Sequence, residues 1–266
     1  MRIRSKKLLK QCLGSCRRFG FIGGMRLWLK VVIGNRSRRL IKLHVPGLGS
    51  PVWLRAMTSD VDTFFQVFVN AEYDVSGTPQ WSWLNRRYDD MILRKERPLI
   101  IDCGANIGLA SLWFASRFPQ ADMLAIEPDE SNVALMRKNL IAHPGIKIMQ
   151  GAIWDRSCNL VVTNSGAAPW AYALAERECG KIKAYTIDEL SSRRAILIAK
   201  IDIEGAEEAL FRSNTEWLNQ TDLVTIELHD WLLPDRRTSS NFIKRIAQER
   251  FDVLSTSQNF FFFLHH

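Results

Sequence analysis

The 266-residue sequence has no uninterrupted apolar run of about 18 residues, the length that a helix needs to cross a bilayer. Its most apolar stretch, residues 19–33, is interrupted by Arg26 and Lys30, and no small-residue cleavage site of a secretory signal peptide follows it. The five cysteines are an odd number, and their spacing matches neither a zinc site nor a dense disulfide framework. These absences predict a globular protein of the reducing cytoplasm.

Acidic side chains are missing from residues 1–59, which contain 14 of the 36 Lys and Arg residues and none of the 28 Asp and Glu residues. The rest of the chain is therefore acidic, although the whole carries a formal net charge of +8. Such a basic segment can face an anionic membrane, a nucleic acid or an acidic partner, or form a solvated helix. Large apolar residues alternate with Lys and Arg over residues 1–40, which predicts either an amphipathic helix at a membrane interface or a helix packed on the main domain.

Two segments precede the main domain. Residues 1–40 form a basic, amphipathic and mainly helical extension, with an expected break at Gly20, Gly23 and Gly24. Residues 41–97 form a second segment packed on the core. The elements expected there are a hairpin over 40–55, a helix capped at Thr58, Ser59 and Asp60, and a connecting helix that ends before Pro98.

From residue 98 to the end, short apolar strands alternate with helices of about ten residues, which predicts a mainly parallel sheet with right-handed crossovers. Residues 156–190 break this alternation and are expected to form an inserted hairpin region. The fold class is therefore α/β and Rossmann-like: a mainly parallel seven-stranded sheet with an antiparallel final strand, plus the helical and hairpin extension. The expected strands are 99–102, 123–126, 146–149, 195–201, 223–228, 251–255 and 260–264, and the expected helices are 109–118, 131–142, 206–212 and 241–249.

The turn after the first strand lacks the full set of glycines of a dinucleotide-binding motif. Gly104 and Gly108 allow a tight turn and a close ligand approach, but Asn106 occupies the position of the second glycine of G-x-G-x-x-G. This disfavours an NAD(P)-dependent oxidoreductase. A polar Asn106 beside Ala105, with Asp102 at the strand end, suits a cationic ligand that carries an amino-acid moiety and no phosphate. S-adenosylmethionine fits that description.

The second and third strands add a nucleoside site. Glu127 ends the second strand, 25 residues after Asp102, where a carboxylate can accept hydrogen bonds from both ribose hydroxyls. Gly151 and Ala152 follow the third strand and would offer backbone and an apolar wall to a base. Asp155 either contacts the adenine amine or merely starts a turn.

Four motifs in this chain resemble those of the FkbM family of methyltransferases, in order and at family-like spacing from residue 99 to residue 229. The motifs are DCGANIG over 102–108, Glu127–Pro128, KIDIEGAE over 200–207 and IELH over 226–229. The resemblance implies a class I methyltransferase fold, S-adenosylmethionine as donor with S-adenosylhomocysteine as product, and usually O-methylation of polyketide-type or sugar hydroxyls. It extends to residues 55–73, where it implies that Glu72 and Tyr73 close over the donor, and it adds Pro128 to the cofactor site.

Four side chains at neighbouring strand ends are the expected catalytic groups. Methyl transfer to an alcohol requires an aligned nucleophile and a base or a metal. Asp202 and Glu204 end the fourth strand, and Glu227 and His229 end the fifth, so they should lie together at the donor. We expect Asp202 and Glu204 to shape the site and His229 to act as the base, aided by Glu227.

Each of these assignments has an alternative. Asp202 or Glu204 can cap the following helix, His229 can be a structural histidine held by Asp230, and Lys200 either lines the pocket or is a surface charge. Three carboxylates and a histidine could hold a divalent cation, but no ligand spacing requires one, and no metal site is predicted.

The acceptor is expected to be a small molecule or a glycan. Residues 74–97 and 156–190 are the irregular segments expected to select it. Aromatic residues there and nearby, Trp154, Trp170, Tyr172 and Trp231, either stack on a sugar or flat acceptor or fill a core. The first expectation is a hydroxyl of a glycan or glycolipid, methylated while residues 1–40 hold the enzyme at the cytoplasmic membrane face. The second expectation is a soluble secondary metabolite.

Two further interpretations of the function are disfavoured. A nucleic-acid methyltransferase usually carries an Asn/Asp-Pro-Pro-Tyr type element where this chain has Asp202–Gly205, and an acidic domain is a poor phosphate groove. A binding module with an inactive methyltransferase fold is opposed by the intact Asp102, Gly104, Glu127 and Asp202.

Overall fold

The computed structural model describes residues 2–37, 39–163, 174–177, 179–231 and 235–266, with the backbone alone for residues 2–5. The strands are β1 Leu40–Leu43, β2 Val52–Arg55, β3 Leu99–Cys103, β4 Asp122–Glu127, β5 Ile146–Gln150, β6 Ala152–Ile153, β7 Asn159–Val162, β8 Leu174–Glu176, β9 Ile182–Tyr185, β10 Ile196–Ile201, β11 Thr221–Glu227, β12 Phe251–Ser255 and β13 Asn259–Leu264. The α-helices are α1 Arg2–Phe19, α2 Phe21–Gly34, α3 Asp60–Phe64, α4 Pro79–Leu93, α5 Leu109–Arg117, α6 Glu130–Asn139, α7 Ile187–Ser191, α8 Glu207–Leu210 and α9 Ser240–Ile246, with a π-helical turn at Phe65–Val69 and a 3-10 turn at Glu216–Gln220.

A seven-stranded sheet forms the centre of the protein, in the order β5-β4-β3-β10-β11-β13-β12. The first five strands of this order are parallel, and β13 lies antiparallel between β11 and β12. Every residue of β3 and β10 is buried, as in parallel sheets that are covered on both faces. The predicted α/β fold, with a mainly parallel sheet and an antiparallel final strand, is confirmed.

The sheet separates two apolar cores. Side chains along a strand alternate between faces, and Ile100 belongs to one core while Leu99 and Ile101 belong to the other. The first core is continuous with the N-terminal extension, because Leu27 and Val31 of α2 pack into it. The extension is therefore folded onto the domain that contains the sheet, and the assignment of 1–40, 41–97 and 98–266 as separate units stays a prediction.

The two helices of the extension pack tightly against each other. The chain breaks between them at Gly20, whose φ is 75°, whereas Gly23 and Gly24 lie inside α2. The predicted break at these last two is wrong, because Gly24 is where the helices touch: a Cβ there would lie 2.2 Å from the backbone oxygen of Ser15. No helix in the described part of the chain is both long and apolar enough to span a membrane.

Some helix lengths differ from the prediction. The expected helix 206–212 is the single turn α8, and the expected helix 241–249 is α9, which ends at Ile246 and is followed by a turn into β12. Ser59 makes no capping hydrogen bond to α3; instead the Thr58 hydroxyl accepts from the amide of Asp60 at 3.2 Å.

The predicted insertion over 156–190 forms a small sheet in the order β6-β9-β7-β8, in which β7 and β8 pair antiparallel. The predicted loops at 165–166 and Pro169, and the predicted stacking residues Trp170 and Tyr172, lie outside the described residues.

Candidate active site

The glycine turn after β3 is wedged between two other elements. Its backbone is left-handed at Gly104, Asn106 and Gly108, with φ of 78°, 50° and 83°. The amides of Gly104 and Ala105 donate to the carbonyl of Ile126 at 3.0 and 2.9 Å, which ties the turn to the end of β4. A Cβ at Gly104 would lie 1.8 Å from the backbone oxygen of Asp202, so only glycine allows the turn to meet the loop after β10.

Asp102 lies beneath this turn. Its fully buried carboxylate accepts a hydrogen bond from the Ser111 hydroxyl at 2.6 Å and lies 3.1 Å from Lys200 Nζ. Asp102 thereby fixes the turn from below, and its predicted direct contact with a cofactor stays a prediction.

Lys200 also donates to the carbonyl of Gly104 at 2.7 Å and is 2% exposed, so its alternative as a surface charge is wrong. Burial by itself lowers the pKa of Lys200, but the carboxylates of Asp102 and Asp202 outweigh burial and raise that pKa well above its ordinary value. The ammonium is therefore a fixed positive charge under the turn.

Glu127 is held in place by three donors. Its Oε2 accepts from the amide of Asn106 at 2.9 Å, and its Oε1 accepts from the amide of Asp129 at 3.0 Å and from Asn132 Nδ2 at 3.1 Å. Burial raises the pKa of Glu127, against the opposing effect of these hydrogen bonds. An ionised carboxylate offers about four acceptor positions, so a ligand hydroxyl can still bind to it.

The residues that support Glu127 were missed in the sequence. Arg55 at the end of β2 donates to the Asn132 amide oxygen at 2.6 Å, and its guanidinium is held by the buried Asp60 at 2.8 and 2.9 Å. The signal in the sequence is Asp60, an acid at the start of an apolar helix and five residues after Arg55, where the pattern by itself predicts only a helix cap. This chain of contacts connects the hairpin of β1 and β2 to Glu127.

A first cleft, here called the Glu127 cleft, has an empty volume of about 630 Å³, partly open to solvent. Among the described residues no Lys or Arg lines it, which suits a nucleoside without a phosphate. Apolar side chains of Ile126, Ile153 and Leu174 form part of its wall. Of the predicted cofactor residues, it is lined by Gly104, Asn106, Glu127, Pro128, Gly151 and Ala152.

The remaining predicted cofactor residues lie elsewhere. Ala105, Glu72 and Tyr73 line a second cleft, and Gly108 starts α5. Asp155 is not among the described residues that line the Glu127 cleft; its carboxylate accepts from the Ser213 hydroxyl at 3.1 Å, which does not support its alternative as an adenine contact.

The second cleft, here called the His229 cleft, has an empty volume of about 1040 Å³ and is also open to solvent. It shares Gly104, Asn106, Asp202 and Glu204 with the Glu127 cleft, so the two meet at these residues. Trp231, which is 62% exposed, lines the His229 cleft. Trp154 is buried instead, and its Nε1 donates to Glu176 at 2.8 Å. This agrees with the alternative in which Trp154 fills a core rather than stacks on the acceptor.

All four predicted catalytic side chains converge at this junction. Nε2 of the buried His229 lies 3.4 Å from Glu204 Oε2, 3.6 Å from Asp202 Oδ1 and 3.7 Å from Glu227 Oε1. On the other side of the ring, Nδ1 lies 2.7 Å from Oε1 of the fully buried Glu207. The alternative in which Asp230 holds His229 is therefore wrong: Asp230 accepts from Thr238 and Ser239.

The cluster contains more negative charge than its surroundings neutralise. Burial, and then repulsion from Asp202, raise the pKa of Glu204 to about 8 and that of Glu227 to about 7. Burial lowers the pKa of His229, but the hydrogen bond to Glu207 and the surrounding carboxylates outweigh burial and raise it to about 9.

The loop after β10, which carries Asp202 and Glu204, has a strained backbone and does not cap the helix that follows it. Glu204 adopts a left-handed φ of 54°, a conformation that costs a non-glycine residue about 1–3 kcal/mol and that clusters at functional sites. Helix α8 begins after Ala206 with no side-chain capping hydrogen bond, so the capping alternative for Asp202 and Glu204 has no support. The loop is shaped to place the two carboxylates in the junction.

Comparison with known proteins agrees with this arrangement. The sequence profile of the family described as "Methyltransferase FkbM domain" matches residues 102–252. "Methyltransferase 1" of Beauveria bassiana (strain ARSEF 2860) is 23% identical over 194 residues, which cover 62% of this chain and 72% of that protein. "Methyltransferase sdnD" of Sordaria araneosa is 27% identical over 146 residues, 52% of this chain and 50% of that protein, so the chain spans only half of this relative.

Among solved structures, a putative caffeoyl-CoA O-methyltransferase from Staphylococcus aureus superposes with a TM-score of 0.42 at 13% identity, over 79% of this chain and 93% of that one. A superposition at this score does not support an assignment of the fold, and we assign the fold from the strand order of the central sheet. The matched family region covers more than half of the chain and contains the glycine turn, Glu127 and the His229 cluster. The chain therefore belongs to the FkbM family of methyltransferases, and its methyl donor is S-adenosylmethionine.

Proposed function

We propose that the protein transfers the methyl group of S-adenosylmethionine to a hydroxyl oxygen of a sugar, a glycan or a glycolipid. The observation that carries this proposal is the cluster of Asp202, Glu204, Glu227 and His229 at the junction of the two clefts. An alcohol, unlike an amine, must lose a proton as it attacks, and this cluster supplies proton acceptors where a methyl group would pass from one cleft to the other.

The donor's nucleoside would occupy the Glu127 cleft, with a ribose hydroxyl on the carboxylate of Glu127. Its sulfonium would lie near Gly104, where the clefts meet. The acceptor oxygen loses its proton to the cluster and forms a bond to the methyl carbon, while the carbon–sulfur bond breaks and leaves S-adenosylhomocysteine. Holding the two reactants in line can contribute about 7–11 kcal/mol to lowering the barrier.

The lining of the His229 cleft favours a neutral polyhydroxylated acceptor. An exposed indole, Trp231, lines the same cleft as the side-chain amides of Gln66, Gln258 and Asn259, a combination that suits stacking on a sugar face and hydrogen bonding to its hydroxyls. The acids of the junction repel phosphate, and Lys200, the basic residue lining this cleft in the described structure, is already paired with Asp102.

The test is methylation of free sugars, lipid-linked glycans and a soluble phenolic metabolite with labelled S-adenosylmethionine, with the methylated atom located by NMR. We expect an O-methyl ether. Glu227→Gln should reduce kcat by about 10²–10⁴-fold with the donor dissociation constant unchanged, because the substitution removes a proton acceptor. Glu127→Ala should instead lose donor binding, measured by calorimetry.

The exposed Glu96→Gln is the matched control and should leave both quantities unchanged. Methylation of nitrogen or carbon alone, or full activity of Glu227→Gln, would contradict the proposal. Transfer to the phenol and to none of the sugars would keep O-methylation and reject the glycan.

We also propose that the extension binds an anionic membrane, which would hold a lipid-linked acceptor near the enzyme. The outer faces of both helices carry exposed apolar side chains at helical spacing, Leu9 and Leu13 on α1 and Phe21, Ile22, Leu29 and Ile33 on α2. Exposed basic residues that form no ion pair within the described structure border them: Lys6, Lys10, Arg17, Arg26 and Lys30. Apolar residues bordered by Lys and Arg are typical of helices that lie in an anionic interface.

Vesicle binding tests this location. The protein should sediment with vesicles that contain phosphatidylserine and not with pure phosphatidylcholine, and added salt should weaken binding. Leu29→Ser with Ile33→Ser should weaken it at least 100-fold, since each fully buried apolar side chain contributes about 1.5–3 kcal/mol. The control pair Leu93→Ser and Ile141→Ser, at positions 80% and 82% exposed outside the extension, should bind as the wild type does. Equal binding by both double variants would exclude the extension as the membrane surface.

A further inference from the structure

We propose that Asp202, Glu227 and His229 bind one divalent cation between the two clefts. One ligand atom from each of these side chains lies within 4.8 Å of the other two. The geometry of the histidine, the charge around it and the position of the group each support a cation.

The spacing of the donor atoms fits a single ion. Nitrogen and oxygen ligands bind first-row cations at about 2.0–2.2 Å, which places two ligand atoms on one ion about 3.0–3.4 Å apart. His229 Nε2 lies 3.6 Å from Asp202 Oδ1 and 3.7 Å from Glu227 Oε1. These two separations are too long for hydrogen bonds, and each needs to shorten by only a few tenths of an ångström for its two atoms to share one cation. The ligand oxygens of Asp202 and Glu227 lie within 4.8 Å of each other and would move closer together on such an ion.

His229 is oriented as a metal ligand. Its side chain is 1% exposed, and Nδ1 lies 2.7 Å from the buried carboxylate of Glu207, which keeps a proton on Nδ1. A cation would displace the proton from Nε2, whose lone pair then points into the cluster. In the described structure Nε2 makes no hydrogen bond. A metal-bound histidine almost always donates its other ring N–H to a carboxylate, a backbone carbonyl or a water, and Glu207 is in the position to accept it here.

The charge of the cleft also calls for a cation. Glu72 and Glu204 line the same cleft as Asp202 and Glu227, and Glu207 lies behind the histidine. Lys200 faces this group, 3.1 Å from Asp102 and 3.5 Å from Asp202, and does not reach Glu227 or Glu204 by an ion pair of the described structure. The half-buried carboxylates repel one another, and a divalent cation bound between them offsets that repulsion. A single His with two carboxylates suits Mn²⁺ or Zn²⁺, and Mg²⁺ less well.

The role of such an ion in catalysis rests on the proposed O-methylation, whereas the binding of the ion does not. A hydroxyl oxygen on the cation loses its proton more readily. Because Nε2 is then a ligand, the base role predicted for His229 passes to Glu204, whose Oε2 lies 3.4 Å from Nε2. The proton moves to that carboxylate, the oxygen bonds to the methyl carbon, and sulfur leaves with the electron pair of the broken bond.

The test is Mn²⁺ titration of the full chain after chelator treatment and dialysis, followed by electron paramagnetic resonance. One Mn²⁺ per chain should bind at micromolar concentration. Glu227→Gln and His229→Gln should each weaken binding at least tenfold, and Glu96→Gln should not. Calorimetry with S-adenosylhomocysteine on each variant shows that its donor site, and hence its fold, is intact.

Two outcomes would overturn the cation. One is a donor-binding wild type that takes up Mn²⁺ only at millimolar concentration; the other is equal Mn²⁺ affinity in wild type, Glu227→Gln and His229→Gln. Either would leave the proposed O-methylation standing. Tight Mn²⁺ binding with no transfer to any hydroxyl would instead reject the proposed function and keep the cation site.

Discussion

Replacing Gly104 by alanine is expected to abolish binding of S-adenosylmethionine while leaving most of the sheet folded. The new Cβ would lie 1.8 Å from the backbone oxygen of Asp202 and 2.9 Å from its carbonyl carbon. Backbone atoms cannot rotate away as a side chain can, and the left-handed φ of 78° adds strain for any residue with a Cβ. The turn and the loop after β10 must therefore separate, and both line the Glu127 cleft.

We expect the donor dissociation constant of Gly104→Ala to rise at least 100-fold, about 2.7 kcal/mol, and the free energy of unfolding to fall by about 1–3 kcal/mol. Calorimetric titration and urea unfolding measure the two quantities. Gly145→Ala is the matched control, because a Cβ there meets no atom within 4 Å and its φ is not left-handed. Wild-type affinity in Gly104→Ala would mean that the turn and the Asp202 loop do not meet in solution.

Replacing Lys200 by methionine is expected to be among the most destabilising single changes in this protein. The ammonium is 2% exposed, contacts Asp102 and Asp202 at 3.1 and 3.5 Å, and donates to the carbonyl of Gly104 at 2.7 Å. Methionine fills a similar volume but leaves the carboxylate of Asp102 buried with only the Ser111 hydroxyl. Removal of one partner from a buried ion pair costs about 3–5 kcal/mol.

Urea unfolding of Lys200→Met measures this loss. The exposed Lys147→Met changes the same side chain outside any ion pair of the described structure and should shift the free energy of unfolding by less than about 0.5 kcal/mol. Lys200→Met combined with Asp102→Asn should recover part of the loss, because the unpaired charge is gone. If the single and double variants are equally unstable, packing rather than charge explains the effect.

The fold was predictable because its signals are local. Apolar strands such as β3 and β10 alternate with helices, and this alternation determines a parallel sheet with little freedom in topology. The glycine turn, Glu127 and the acids after β10 and β11 were likewise found as short motifs at strand ends. Because the carboxyl ends of parallel strands lie at one edge of the sheet, motifs at these ends come together independently of the other contacts in the fold.

The contacts that hold those residues were not predictable, because they join positions far apart in the sequence. Glu207 rather than Asp230 orients His229, and Arg55 reaches Asn132 across 77 positions. Lys200 is an isolated cation in the sequence, and only the meeting of β3 with β10 shows that it is buried against Asp102. A single sequence carries no record of such pairings.

A chain of hydrogen bonds from Asp60 through Arg55 and Asn132 to Glu127 joins the hairpin of β1 and β2 to the donor site. Any coupling that this chain carries is reciprocal: if donor binding stabilises the hairpin of β1 and β2, a load on that hairpin changes the donor affinity by the same free energy. Helix α2 packs on β1 in the same core. The outer surface of the extension is thereby connected to Glu127 through contiguous packing and hydrogen bonds.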